Sequence, residues 1–340
     1  MLGNHNSRTR TRTGWTLLIG VIITSLLLSG CSGTQKPKVY RVGILSGLDT
    51  FASIADGFKA GMTELGYVEG TNITYDLQKL NNDTVGEQKA AKKFVDDKVD
   101  LIFAFPLGAS KTAKAATQGT KTSVVFANST TEGSGLVESV RQPGGNITGV
   151  RSPGSDLTVK RFEFLLEFAP QLKRLWITYN PNYAANKPAL EALRPVVSSK
   201  GIKLVEAPVA SLADMKAELQ ARAASGDIGM DAILILPDDL SQSTEGWPMI
   251  SKFAAEHKVP IGGSALFELT TGALFTNNTD NAETGKLAAT LADKILKGVS
   301  AGSLPVLTPE AHLQINYKVA QELGLTVPEG LLRQADKVIR

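Results

Sequence analysis

Few residues of this 340-residue chain stand in an arrangement that does covalent chemistry. There is no Gly-x-Ser-x-Gly turn to raise a serine nucleophile and no Gly-x-x-x-x-Gly-Lys-Ser/Thr loop to cradle phosphates. The three histidines, His5, His257 and His312, have no second His or Cys at metal-ligand spacing. Asp238-Asp239 is an adjacent loop pair, a position where carboxylates are usually solvated rather than working as acid and base. No enzyme activity, cofactor or metal is expected. The chemistry that remains is recognition. Polar and aromatic side chains recur in short loops that follow apolar runs: Ser46, Asp49 and Phe51; Phe105 and Pro106; Asn128, Ser129 and Thr130; Tyr179, Asn180 and Asn182; Asp238; and Ser264. Hydroxyls and amides hold a carboxylate together with helix N-termini, carboxylates such as Asp49, Asp238 and Glu132 hold an ammonium, and Phe51, Phe105, Tyr179 and Tyr183 offer rings for stacking. Such a set suits a small polar or zwitterionic molecule, an amino acid above others, with a neutral solute such as a sugar or nucleoside as the alternative.

The loops acquire meaning from the elements that carry them. From Val39 onward β-like runs alternate with helical ones: a strand over 39–45, helix over 51–65, strand over 73–77, helix over 85–97, strand over 100–105, helix over 109–117 and strand over 123–127. This is βαβ repetition, which predicts a parallel sheet covered on both faces. In such sheets ligands sit beyond the carboxyl ends of the strands, where the loops above lie.

The stretch Gly135 to Asn182 divides the chain. Turn residues 142–146 and 152–154 bracket Ile147-Thr148-Gly149-Val150, read as a strand crossing between two lobes. Ser155 to Thr158 then cap a helix with apolar positions Phe162, Leu165, Leu166 and Phe168, and Arg174 to Tyr179 opens a second series. Arg41-Val42-Gly43-Ile44 matches Arg174-Leu175-Trp176-Ile177, and Asp100 to Pro106 matches Asp231 to Pro237, at nearly the same offset. The expected fold class is α/β, with two doubly wound parallel-sheet lobes joined by hinge strands. Lobe one is residues 39–150, completed by about 281–303; lobe two is 151–280, completed by part of 304–340, ending in a helix over 331–339.

Composition agrees with two cores: 42% of residues are hydrophobic and 20% charged. The formal net charge of +3 comes from Arg8, Arg10 and Arg12, and the remainder is neutral, which removes the electrostatic footprint of a nucleic-acid binder. Those arginines, the apolar run Trp15 to Leu28 and the small residues before Cys31 make residues 1–30 an export signal. Leu28-Ser29-Gly30-Cys31 fits a lipobox, so Cys31, the only cysteine, is the expected lipidation site, with 31–38 as a tether. The folded part is then expected outside the cytoplasm, held to the membrane by the lipid.

Beyond these readings the chain resembles ABC-transporter substrate-binding lipoproteins of the branch that includes tryptophan- and tyrosine-associated binding proteins. The resemblance rests on Glu64-Leu65-Gly66-Tyr67-Val68-Glu69-Gly70 with Asn72-Ile73, on Gly135-Leu136-Val137 with 143–150 (PGGNITGV), on Asn180-Pro181-Asn182, on Ile295-Leu296-Lys297-Gly298, and on Ile315-Asn316 leading to Leu323-Gly324-Leu325 and Pro328. It implies a type I periplasmic-binding fold whose lobes close on a ligand, and a permease as partner. Thr130-Thr131-Glu132 stands where the family commonly has Asp-Pro-Val, so a carboxylate for a ligand ammonium is missing there or moved to Glu132. A receptor that reports its ligand to a membrane sensor has the same expected sequence features.

Overall fold

The computed structural model describes residues 1–3, 38–81, 83–183 and 185–340; the export segment and Cys31 lie outside them. Within 40–340 the chain forms two parallel-sheet lobes, each with helices on both faces.

The first lobe runs β1 (Tyr40–Ser46), α1 (Ala52–Glu64), β2 (Ile73–Lys79), α2 (Thr84–Asp96), β3 (Leu101–Phe105), α3 (Leu107–Ala116), β4 (Ser123–Ser129) and β5 (Ile147–Arg151). Its strands pair in the order β2-β1-β3-β4-β5, all parallel. The central strands read as unbroken apolar runs because both faces are covered: Val42, Ile44, Phe103 and Phe105 point to one core, and Leu45, Ile102, Ala104 and Phe126 to the other.

The second lobe runs α4 (Gly154–Phe168), β6 (Arg174–Tyr179), α5 (Asn186–Ser199), β7 (Lys203–Pro208), α6 (Leu212–Ala223), β8 (Ala232–Leu234), α7 (Gly246–His257), β9 (Ile261–Gly263), α8 (Leu266–Thr270) and β10 (Phe275–Thr279). After α9 (Asn281–Leu296), it gains β11 (Ala311–Asn316), α10 (Tyr317–Glu322), α11 (Glu329–Gln334) and β12 (Lys337–Ile339). The order is β12-β11-β10-β9-β8-β6-β7, parallel except for the antiparallel β10–β11 pair. The internal likeness seen in sequence is topological as well. β6 is flanked by β7 and β8 as β1 is by β2 and β3.

Helix α9 packs in the first lobe, where Ala288, Ala289, Leu291, Ala292 and Ile295 join the core beneath β1 and β3. Its contact with α1 is backbone to backbone. A Cβ on Gly57 would strike Ala282 and one on Gly285 would strike the Ile54 carbonyl, so both positions need glycine.

Two expectations change. Ile147–Val150 is not itself the crossing: β5 is the edge strand of the first sheet, paired with β4, and the chain passes to the second sheet at 151–154. It returns at 279–281 and passes back at 304–311, where Arg151 donates its N–H to the Leu307 carbonyl at 2.9 Å and Leu307 donates to that of Gly149 at 2.9 Å. The expected last helix over 331–339 stops at Gln334, because 337–339 finds a partner in β11 and extends the sheet. A run of three residues carries no decisive period, so only the presence of that edge settled its conformation.

Candidate functional site

In both sheets the strands β1, β3, β4, β6, β8 and β9 deliver the sequence-predicted residues to their carboxyl ends, the edge where doubly wound sheets bind ligands.

At the first lobe's edge, Ser46 closes β1 with its hydroxyl buried and without a hydrogen-bond partner among the described residues, and the Gly47 N–H donates to the Phe105 carbonyl at 2.8 Å. Asp49 is exposed in a single 3-10 turn, and Phe51 is half-buried against the core. Phe105 is fully buried with its ring 5.1 Å from that of Phe103, so it belongs to the core and is no platform for a ligand. Pro106, half-buried, precedes α3. Asn128 adopts φ +46°, in the left-handed region that asparagine tolerates, and makes a bulge in β4 before Ser129. The Ser129 hydroxyl lies 2.9 Å from that of Ser110, which also reaches the Pro106 carbonyl, tying the β3 and β4 loops together. Thr130 is half-buried, and the buried Thr131 hydroxyl has no hydrogen-bond partner among the described residues. Glu132 is engaged by Arg151, whose Nη1 donates to Oε1 at 2.8 Å.

At the second lobe's edge, Tyr179 turns toward the outer strand, its hydroxyl donating to Glu206 at 3.0 Å, and Arg194 grips the same carboxylate with two bonds of 2.8 Å. Asp238 is 2% exposed and takes four donors: the N–H groups of Asn180, Leu240 and Ser241 and the amide of Asn186. With its lone pairs taken by its own loops, it is not the open ammonium acceptor the sequence suggested. Asn180 donates its side-chain amide to Asp239, and Asn182 is exposed. Tyr183 is half-buried beside these carboxylates, and burial first, then Asp239 and Asp238, pushes its hydroxyl pKa up. Ser264 accepts from the Gln242 amide at 2.9 Å.

Three buried charges escaped the sequence reading. Arg161 of α4 is 3% exposed; its Nε donates to the Asn277 carbonyl at 2.7 Å, its Nη1 has no hydrogen-bond partner among the described residues, and burial pushes its pKa down to about 10. Glu268, fully buried, accepts from the N–H groups of Ser264 and Ala265 and from Gln242, while burial raises its pKa. Glu87 of α2 is 6% exposed, and burial raises its pKa against the opposing hydrogen bond from Thr112. For two of them a signal existed. Glu87, Ala90, Ala91 and Phe94, like Thr158, Arg161, Phe162 and Leu165, recur at helical spacing, and a charge on such a stripe must be buried with it. Among the described residues no group of His, Cys, Asp and Glu converges to hold a metal ion.

A tyrosine-binding protein from Clostridioides difficile (strain R20291) is 29% identical over 326 residues, 91% of each chain. The ligand-free, open structure of a substrate-binding protein with adhesive properties from Clostridium difficile is 26% identical, with a TM-score of 0.73 over 88% of this chain and 99% of that one. A Streptococcus pneumonia ABC domain in complex with L-Trp shares the fold at 24% identity, with a TM-score of 0.73 over 89% of this chain and all of the other. The family model described as ABC transporter substrate binding protein matches residues 42–339, nearly the whole of both lobes, and the chain therefore belongs to that family.

Proposed function

We propose that this protein is the extracytoplasmic receptor of an ABC importer, held to the membrane by lipid on Cys31, and that it captures an amino acid, an aromatic one in preference, between the strand-end loops of its two lobes. The observation that carries the ligand class is the 29% identity to a tyrosine-binding protein along 91% of the chain. The strand ends support it. Phe51 follows β1 in the first lobe and Tyr183 follows β6 in the second, so each lobe has a half-buried aromatic side chain just past a strand end. Hydroxyls and backbone N–H groups at the same edges suit the ligand carboxylate. The permease is the expected partner for delivery. Mass spectrometry of small molecules released from the purified, denatured protein, followed by calorimetry with tyrosine, tryptophan and the other amino acids, tests the reading. A stoichiometric aromatic amino acid is the expected result. No heat and no thermal shift with any amino acid at millimolar concentration overturns it, since even a modest site stabilises the fold by mass action.

A further inference from the structure

We propose that Glu87 is the residue that takes the ligand's ammonium group, an assignment that rests on the reading of the chain as an amino-acid receptor. Glu87 lies in the first turn of α2, whose N-terminus stands at the ligand-binding edge, and it is buried on the same helix face as Ala90, Ala91 and Phe94. Its Oε2 accepts one long hydrogen bond, 3.3 Å, from the Thr112 hydroxyl of α3. Its Oε1 has no hydrogen-bond partner, and no lysine, arginine or histidine pairs with it, among the described residues. That oxygen rests against Gly47 at the end of β1: a Cβ there would stand 2.7 Å from Oε1 and would push the carboxylate aside.

A buried carboxylate with one neutral donor is a costly group in the free protein, and Asp83 at the start of the same helix adds repulsion. A cation arriving with the ligand relieves that cost. The other carboxylates near the strand ends are spoken for or too exposed: Asp238 has four donors, Glu268 three, Glu132 the Arg151 guanidinium, and Asp49 stands in solvent.

The test is calorimetry at pH 7 of the full mature protein and its Glu87→Gln and Gly47→Ala variants, with L-tyrosine and with 3-(4-hydroxyphenyl)propionate, the same molecule without its amino group. Loss of a buried partner to an ammonium weakens binding by about 30-fold or more. Glu87→Gln is expected to lose tyrosine affinity on that scale, and Gly47→Ala, which only displaces the carboxylate, to lose less, while all three proteins bind the des-amino acid equally weakly. An unchanged tyrosine affinity in Glu87→Gln, or an equal loss for both compounds, overturns the proposal. Glu87→Gln is also expected to melt no lower than the parent without ligand; a clear drop makes Glu87 a structural hydrogen-bond partner and overturns it too. If the parent protein binds no amino acid at all, the functional reading falls, and that outcome is distinct from a parent that binds tyrosine and a variant that binds it as well.

Discussion

At the scale of the residue, the strand-end carboxylates differ by what they touch rather than by type. Asp238 gathers the loops after β6 and β8 by accepting from Asn180, Asn186, Leu240 and Ser241, so it sets where Asn180 and Tyr183 stand. Its removal leaves several buried donors without an acceptor, and Asp238→Ala is expected to cost about 3 kcal/mol of stability in urea unfolding. Asp49→Ala, in solvent, should change it by less than about 0.5 kcal/mol. Equal effects of the two would contradict the geometry. Adjacent letters gave no means of telling them apart, because each is an Asp in a loop after an apolar run, and hydrogen bonds to residues some 58 positions away are invisible in a linear pattern.

At the scale of the element, the crossings are tied by side chains as well as by backbone. Arg151, at the end of β5, reaches Thr308 through Nε at 2.9 Å, Glu132 through Nη1 and Asp156 through Nη2 at 2.6 Å, so one guanidinium joins two crossings to the first turn of α4 and the loop after β4. Its planar fork serves three separated acceptors, which lysine cannot copy. Nearby, His312 of β11 lies 2.8 Å from Glu283 in the first turn of α9 and 3.4 Å from Asp336 before β12, and the Glu283 hydrogen bond chiefly raises its pKa. A raised folded-state pKa means the native state holds the proton more tightly. The contribution to stability is whole below the unfolded value of about 6.5 and fades as pH rises through the folded value. His312→Gln should therefore be less stable than the parent below the unfolded value of about 6.5, with the difference shrinking as pH rises through the higher folded value, read from denaturant unfolding across pH. A constant difference at every pH would assign the effect to packing instead.

At the scale of the whole molecule, three crossings join two lobes with separate cores, an arrangement in which a few residues at the connections absorb a backbone change while the lobes stay rigid. Small-angle scattering is expected to give a smaller radius of gyration with saturating tyrosine than without, and an identical profile would argue against closure on the ligand. Anchoring is tested separately. Cys31→Ala should accumulate as an unprocessed precursor without lipid, whereas normal processing and membrane retention of that variant would remove the lipobox reading.

Much of the architecture was written in local patterns. Continuous apolar runs such as 101–105, the helical spacing of 84–96 and the doubled strand motif at Arg41 and Arg174 sufficed for two parallel-sheet lobes, because secondary structure follows periods of two and 3.6 that a single segment already displays. The candidate loops were legible for the same reason, since strand ends can be counted. What the tertiary structure alone decided was the use of each residue once the loops met. It sent Phe105 to the core, Tyr179 to Glu206 and Asp238 to four donors, and it set a Glu87 oxygen against Gly47. It also made 337–339 a strand rather than helix, because β11 offered an unpaired edge. Burial and hydrogen-bond saturation are properties of neighbours brought from elsewhere in the chain, and no local period encodes them.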